Sequence, residues 1–289
     1  MTDKFLVSDQ TSAEGSNGVV GTTVTVNADG MQIVESSIDN GELYYNSRTY
    51  VMWNWLAATA FSNDASATGV GTIDSSGRVN TTAGFSIVSY TGTGSAGTIK
   101  HGLSAAPEVL IVKRLAVADN WPVYHSGNTS APETDSLFLN LNDATQDLLY
   151  WNDTAPTSTV FSLGSNNIVN KSGEAFICYA FHSVEGYSKV GSFAANGSTQ
   201  FVHLGFRPAF VLWKRTNSSG WNISDNARDP INEVNAVLHP NSSAVESTAS
   251  QDILFVSNGF VEAGYANDSG QTVIYLAFGD QPFKFANAR

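Results

Sequence analysis

Short apolar segments of strand length dominate the pattern of hydrophobic and polar positions along the chain. Residues 137–142 alternate, with leucines on one face and Asn140 and Asn142 on the other, which predicts a half-buried β-strand. Residues 109–112 and 210–213 are continuous apolar runs, each followed by a Lys-Arg pair. Such runs predict central strands that are covered on both faces.

Glycine and small polar residues interrupt these segments at short intervals. Regularly spaced short strands with such breaks are typical of antiparallel β-sandwiches. We therefore expect an all-β fold made of tandem, jelly-roll-like sandwiches with an N-terminal arm. The clearest breaks are residues 92–95, 164–167, 197–198, 218–220 and 267–270.

Two stretches of the chain repeat each other. Residues 107–114, PEVLIVKR, return as residues 208–215, PAFVLWKR, and the tryptophans that follow them, Trp121 and Trp221, are 100 positions apart. A repeat of this length indicates a duplicated domain, because solenoid and propeller units recur every 20–50 residues or so. Duplication multiplies surfaces, which favours binding or assembly over catalysis.

The ends of the repeat define the predicted domains. Three similar segments are predicted to be closing strands. One lies near the start of the chain, at residues 49–55, and the others end the two full units, at residues 175–181 and 272–278. We assign residues 1–83 to an N-terminal attachment arm with a partial repeat and a connector. Residues 84–183 are the first full sandwich, and residues 184–289 are the second.

Composition and charge narrow the class of function. The 289 residues include 42% hydrophobic residues, enough for sizeable cores, and carry a formal net charge of −12. This charge disfavours partners such as nucleic acid or an anionic membrane. The sequence has no run that resembles a signal peptide or a membrane span, so we expect synthesis in a cytoplasm and no membrane insertion. Cys178, the only cysteine, lies in an apolar run and predicts a small buried side chain.

Several longer stretches are distinctive. They are residues 85–98 (FSIVSYTGTGSAGT), 151–158 (WNDTAPTS), 205–210 (GFRPAF) and 282–289 (PFKFANAR). Together they resemble a repeat domain of bacteriophage structural proteins, especially those of marine phages, which are usually labelled tail fibre or tail proteins. The resemblance covers roughly residues 40–289.

The resemblance implies a non-enzymatic virion structural protein, a tail fibre or another surface appendage that binds a glycan on the host surface. It also implies that the chain is a homo-oligomer, with a trimer as the first guess, and that the protein is displayed on the virion. We further expect the N-terminal arm, most of which lies outside the resemblance, to contact other virion proteins. The alternative is a capsid- or tail-decorating protein without a dedicated receptor site. A polysaccharide hydrolase is a minor alternative, since two facing carboxylates could hydrolyse glycans.

Catalytic residues do not stand out in the sequence, and we predict that the protein is not an enzyme and uses no cofactor. A Gly-x-Ser-x-Gly nucleophile elbow is missing. His101 and His203 precede Pro107 and Pro208 by similar distances, so these recurring pairs indicate structural roles. The remaining histidines are expected on the surface or at sheet edges; they are His125, His182 and His239.

A metal site is not expected either. Asn140, Asn142 and Asp143 cluster in sequence, but one carboxylate among amides would bind calcium weakly. The Lys-Arg pairs at 113–114 and 214–215 are expected to protect strand ends from edge aggregation or to bridge to acidic neighbours in an assembly.

The tryptophans divide into two groups. Trp121 and Trp221 recur at the same repeat position, which favours a structural role as core residues between sheets. Trp151 has no counterpart in the second unit and is followed by Asn152 and Asp153. A ring flanked by amide and carboxylate groups suits a sugar, so these three residues are the predicted glycan contact.

Overall fold

The structure is a computed structural model, which describes residues 6–15, 22–27, 30–35, 49–248, 253–262 and 269–279. Near the N-terminus, strands β1 (Thr22–Asn27) and β2 (Gly30–Glu35) form an antiparallel hairpin. This hairpin is a separate two-stranded sheet and joins no other sheet of the described chain.

The first sandwich consists of ten strands. They are β3 (Thr59–Asn63), β4 (Ser75–Asn80), β5 (Phe85–Thr91), β6 (Gly97–Lys100), β7 (Val109–Arg114), β8 (Pro122–His125), β9 (Asp135–Phe138), β10 (Gln146–Asp147), β11 (Val160–Leu163) and β12 (Ala175–Phe181). Eight strands form one antiparallel sheet in the order β10-β9-β8-β7-β12-β5-β4-β3, and β6 pairs with β11 in a small second sheet.

The second sandwich repeats this plan with fewer strands. They are β13 (Ser188–Ala194), β14 (Gln200–His203), β15 (Pro208–Arg215), β16 (Asn222–Asp225), β17 (Val237–Leu238), β18 (Ile253–Val256), β19 (Gly259–Glu262) and β20 (Thr272–Gly279). The large sheet has the order β13-β20-β15-β16-β17, and the small sheet has the order β14-β19-β18. The predicted all-β class with antiparallel sandwiches is confirmed.

Helices in the described residues are single turns: α1 (Ala65–Thr68), α2 (Asn167–Asn170) and a 3₁₀ turn over Pro132–Thr134. The Asp64 carboxylate accepts the Ala67 N–H at 3.0 Å and begins α1, and Gly69 ends it at φ 67°. Among these described helices, none has the length and apolarity to cross a membrane.

The central strands are covered on both faces, as their apolar runs predict. Leu110 and Val112 of β7 belong to the core between the large and small sheets of the first sandwich. Val109 and Ile111, on the opposite face, pack in a cluster shared with the second sandwich. The two large sheets therefore lie face to face, and each sandwich covers the other.

Trp55 lies in the junction between the two sandwiches. Its ring contacts Phe85 and Phe181 of the first sandwich at centroid distances of 6.5 and 6.2 Å. It also contacts Phe210 and Phe278 of the second sandwich at 5.7 and 5.4 Å. One side chain from outside either sheet thus links four rings.

The predicted domain boundary after residue 83 is wrong. Strand β4 pairs with β5 along six residue pairs, so β3 and β4 extend the large sheet of the first sandwich. The first sandwich therefore begins at Thr59, within the segment that the sequence assigned to a connector. Residues 49–55, predicted to be a closing strand, contain no strand, and their Trp53 and Trp55 side chains pack in the junction between the sandwiches.

The two repeated prolines lie at the start of the equivalent central strands, and both are buried. Pro107 precedes β7, and Pro208 is the first residue of β15, opposite Gly279. At the first residue of a strand the missing N–H costs no interior ladder bond, which explains why proline is tolerated there.

Candidate functional site

The predicted glycan contact at Trp151 is wrong. The side chain is 1% exposed and belongs to the core of the first sandwich. Its indole Nε1 donates to the Asp135 carbonyl at 3.0 Å, and its ring meets Tyr124 edge-on at 5.9 Å. A ring covered in this way presents no face to a sugar.

Asn152 and Asp153 are exposed, and the backbone conformation of a local turn explains why these residue types occur here. They have φ of 55° and 45°, and the Thr154 N–H donates to the Trp151 carbonyl at 3.2 Å. Asparagine and aspartate tolerate this left-handed region better than other non-glycine residues. The polar residues beside Trp151 therefore form a tight turn.

Trp121 and Lys113 bind a backbone segment near the N-terminus. The Trp121 indole Nε1 donates to the Gln10 carbonyl at 3.0 Å. The Lys113 ammonium, fully buried and 5.8 Å from the Trp121 ring centroid, donates to the carbonyls of Thr11 and Asp119 at 2.9 and 2.8 Å. The Asp119 N–H also donates to the Thr11 carbonyl, at 2.7 Å.

In the second sandwich, the equivalent tryptophan binds a segment of the first sandwich, and the equivalent lysine binds its own loop. The Trp221 indole Nε1 donates to the Phe138 carbonyl at 2.8 Å. The Lys214 ammonium is also fully buried and donates to the carbonyls of Ser219 and Asn217. Both tryptophans lie in the cluster between the large sheets, which confirms the predicted structural role.

A backbone hydrogen bond completes each arrangement. The Glu14 N–H donates to the Leu115 carbonyl at 2.9 Å, and the Thr145 N–H donates to the Thr216 carbonyl at 2.8 Å. We call Lys113, Leu115 and Trp121 the first socket, and Lys214, Thr216 and Trp221 the second socket. The first socket holds residues 6–15, called the arm below. The second socket holds residues 138–145 through Trp221 and Thr216, without a bond from Lys214.

Burial changes the acid–base chemistry of the socket lysines. Desolvation lowers the pKa of Lys113 and of Lys214 to about 8 each, because the charged ammonium loses water. Backbone carbonyls replace that water in both sockets. Lys113 and Lys214 therefore act as hydrogen-bond donors that hold backbone carbonyls in place.

The Lys-Arg pairs do not protect sheet edges. Strand β7 lies between β8 and β12, and β15 lies between β16 and β20, so both are central strands. Arg114 instead forms a double hydrogen bond with Glu174 at 2.6 and 2.7 Å and meets Asp119 at 3.3 Å. The acidic partners of Arg114 lie in its own chain, and the expected bridge to acidic neighbours in an assembly stays a prediction.

The asparagines weighed as calcium ligands hold the sockets together. Asn140 Oδ1 accepts the Trp121 N–H at 3.0 Å, and Asn241 Oδ1 accepts the Trp221 N–H at 2.8 Å. Asn142 Oδ1 accepts from Asn241 at 2.6 Å. Within the described residues, no group of three or more His, Cys, Asp or Glu is arranged to hold a metal.

His125 is not a surface residue, in contrast to the prediction. It is buried at the end of β8, where Nε2–H donates to the Tyr275 carbonyl of the second sandwich at 3.1 Å and Nδ1 accepts the Gly127 N–H at 3.1 Å. Desolvation lowers the pKa of His125 to about 4, so the ring is neutral at pH 7. The sequence around His125 does not predict this contact between the two sandwiches.

The recurring histidines have different environments. His101 is buried, and its Nδ1 accepts the Leu103 N–H at 3.1 Å. His203 is exposed on β14 beside Phe201, with ring centroids 6.3 Å apart. Cys178 is buried in the first core, as predicted, and burial raises the pKa of its thiol well above the usual range.

Phe201 and His203 form the exposed aromatic pair that sequence reasoning missed. Both lie on β14 two residues apart, with Val202 buried between them, so they share the outer face of the small sheet. Phe201 is 49% exposed. The signal in the sequence is the alternation of Phe201, Val202 and His203, which places the two rings on one face of the strand.

Comparison with known proteins gives a family and no relative of known function. Neither the curated proteins nor the solved structures include a match to the chain. A family model matches residues 1–282, almost the whole chain. The chain therefore belongs to the family described as a domain of unknown function, DUF7483.

Proposed function

We propose that the chain is a structural protein of the bacteriophage virion exterior, part of a tail fibre or another surface appendage, and not an enzyme. The observation that carries this proposal is the use of the repeated residues. Lys113, Trp121 and Trp221 each hold backbone from a distant part of the chain, and Lys214 holds carbonyls of its own loop. A duplicated domain whose equivalent polar residues join its parts suits assembly, and the sequence resemblance to phage tail proteins agrees with it.

The net charge and the low content of charged residues favour a displayed surface protein over a nucleic-acid-binding protein. A net charge of −12 is carried by a chain in which only 14% of residues are charged, so its polar surface is built mainly from neutral hydrogen-bonding groups. Such groups are not screened by salt as ion pairs are. This surface fits a protein displayed on a virion, which meets variable salt.

The proposed appendage binds a host-surface glycan through Phe201 and His203. The exposed Phe201 ring can stack on the apolar face of a sugar, and the adjacent His203 side chain can hydrogen-bond to its hydroxyls. Lys189 Nζ donates to the His203 carbonyl at 2.7 Å and steadies the strand end. Attachment to the particle is assigned to the N-terminal region, up to about Ser47.

Location and copy number on the intact virion test the main proposal. Immunogold labelling of purified particles with quantitative mass spectrometry should place the chain at the tail in few copies. Labelling over the head in many copies would replace the appendage by the alternative, a decoration protein without a receptor site. Absence from purified particles would refute both structural roles.

The glycan contact has its own test. Phe201→Ala should weaken binding of the purified protein to host cells several-fold, because the stacking face is lost. Ile231→Ala is the matched control, since Ile231 is an apolar residue of the second sandwich that is 81% exposed. Equal binding by the two variants would remove Phe201 as the sugar contact and leave the virion location unaffected.

A further inference from the structure

The first socket recognises backbone atoms. Each hydrogen bond that it makes with the arm uses a main-chain group of the arm: the carbonyls of Gln10 and Thr11 and the N–H of Glu14. Recognition through main-chain groups does not depend on the side chains of the bound segment. The socket therefore accepts a segment whose main chain places carbonyls at the required positions.

The two occupants differ in sequence but are bound alike by the tryptophans. The arm reads LVSDQTSAEG over residues 6–15, and the occupant of the second socket reads FLNLNDAT over residues 138–145. These unrelated sequences make equivalent bonds to Trp121 and Trp221, at 3.0 and 2.8 Å. The bond to the tryptophan therefore depends on a main-chain position, and each occupant also packs one leucine, Leu6 or Leu139, in the apolar cluster that contains both tryptophans.

The arm is a separable element of the fold. The first sandwich begins at Thr59, and hairpin β1–β2 between the arm and that strand joins none of the sandwich sheets in the described chain. Contacts at the socket, including Leu6 against the cluster that contains Trp121, are what place the arm on the first sandwich.

We propose that the first socket is an exchange site, filled by residues 6–15 of a second copy of this chain in place of its own arm. A second copy brings the same carbonyls to the same donors, so exchange preserves every contact and costs only the entropy of association. Copies held side by side would then be linked through their arms. This inference does not rest on the proposed function.

Two variants, each with one cysteine in addition to Cys178, test the exchange. Thr11→Cys is placed in one copy and Asp119→Cys in another, because the Asp119 N–H donates to the Thr11 carbonyl at 2.7 Å and brings the two backbones within disulfide range. Cys178 is buried with a raised thiol pKa, so it does not compete. Mixing the two folded variants at high protein concentration under mild oxidation should give a disulfide-linked heterodimer, read by non-reducing electrophoresis and intact mass.

Two controls make the result decisive. Ser158→Cys mixed with Asp119→Cys measures random collision, since Ser158 is exposed and outside the socket. The double variant with both Thr11→Cys and Asp119→Cys should close within one chain at low concentration. A heterodimer yield several-fold above the collision control supports exchange. A heterodimer yield equal to the collision control, together with disulfide formation in the double variant, overturns the exchange proposal. A double variant that forms no disulfide shows that the arm does not lie in the socket, and this result overturns the proposal as well.

Discussion

Replacing Trp55 by alanine should uncouple the two sandwiches. Trp55 belongs to neither sheet, yet its ring meets Phe85 and Phe181 on one side and Phe210 and Phe278 on the other. The substitution removes the ring and leaves both backbones in place. Its effect therefore reports the contribution of one side chain to the junction.

The expected loss follows from the ring contacts. The pairs with Phe181, Phe210 and Phe278 are edge-to-face at 5.4–6.2 Å, the favourable geometry, and each such pair contributes roughly 0.5–1.5 kcal/mol beyond its buried area. A buried Trp→Ala change costs roughly 3–5 kcal/mol, and Trp55 is only partly buried. We expect the free energy of unfolding to fall by about 3 kcal/mol.

Urea unfolding followed by tryptophan fluorescence and circular dichroism measures this effect. The unsubstituted chain should unfold in one transition, and Trp55→Ala should separate the transitions of the two sandwiches, so that the probes no longer coincide. Leu56→Ala is the matched control, because Leu56 is the next residue and is 71% exposed. If both variants stay within about 0.5 kcal/mol of the parent, the junction does not depend on Trp55 and the reasoning fails.

Two further variants test buried polar contacts. The pKa of His125 is about 4 in the folded chain and about 6.5 when unfolded, so its contribution to stability is present above pH 6.5 and is lost as pH falls through 4. His125→Gln should remove acid sensitivity on the order of 3 kcal/mol, measured by urea unfolding between pH 7 and 4; an unchanged pH profile would contradict this. Arg228→Met should cost about 3 kcal/mol, since it leaves the Asp225 carboxylate buried without the Arg228 Nε that lies 2.7 Å away. Adding Asp225→Asn should recover much of that loss in the same assay, and a double variant no more stable than the single one would show that the pair is not the cause.

Sequence pattern predicted the central strands because burial on both faces leaves a direct signal. Residues 109–112 and 210–213 have no polar position, so each face needs an apolar cover. The pattern could not identify that cover. In the structure it is the small sheet on one face and the other sandwich on the opposite face, a relation between residues a hundred positions apart.

Trp151 shows why the binding site could not be predicted in the same way. Its polar neighbours, Asn152 and Asp153, resemble sugar ligands in sequence, but they are selected by left-handed backbone conformations in the turn. A polar residue beside an aromatic one does not distinguish a binding site from a tight turn over a buried ring. That distinction needs the exposed fraction of the ring, which depends on Asp135 and Tyr124 far from it in sequence.

Equivalent positions at the ends of strands β8 and β16 carry different residues, and their contacts explain the difference. His125 and Asp225 each follow their tryptophan by four positions, and both accept an N–H from two residues ahead, at Nδ1 and Oδ1, each at 3.1 Å. The local turn therefore needs only an acceptor. What differs is the neighbour, since His125 also donates to Tyr275 of the other sandwich, whereas Asp225 pairs with Arg228 of its own. Both copies of the duplicated domain therefore keep a hydrogen-bond acceptor at the strand end. The neighbours of the two copies differ, and this difference accounts for a histidine, which also donates, in the first copy and a carboxylate in the second.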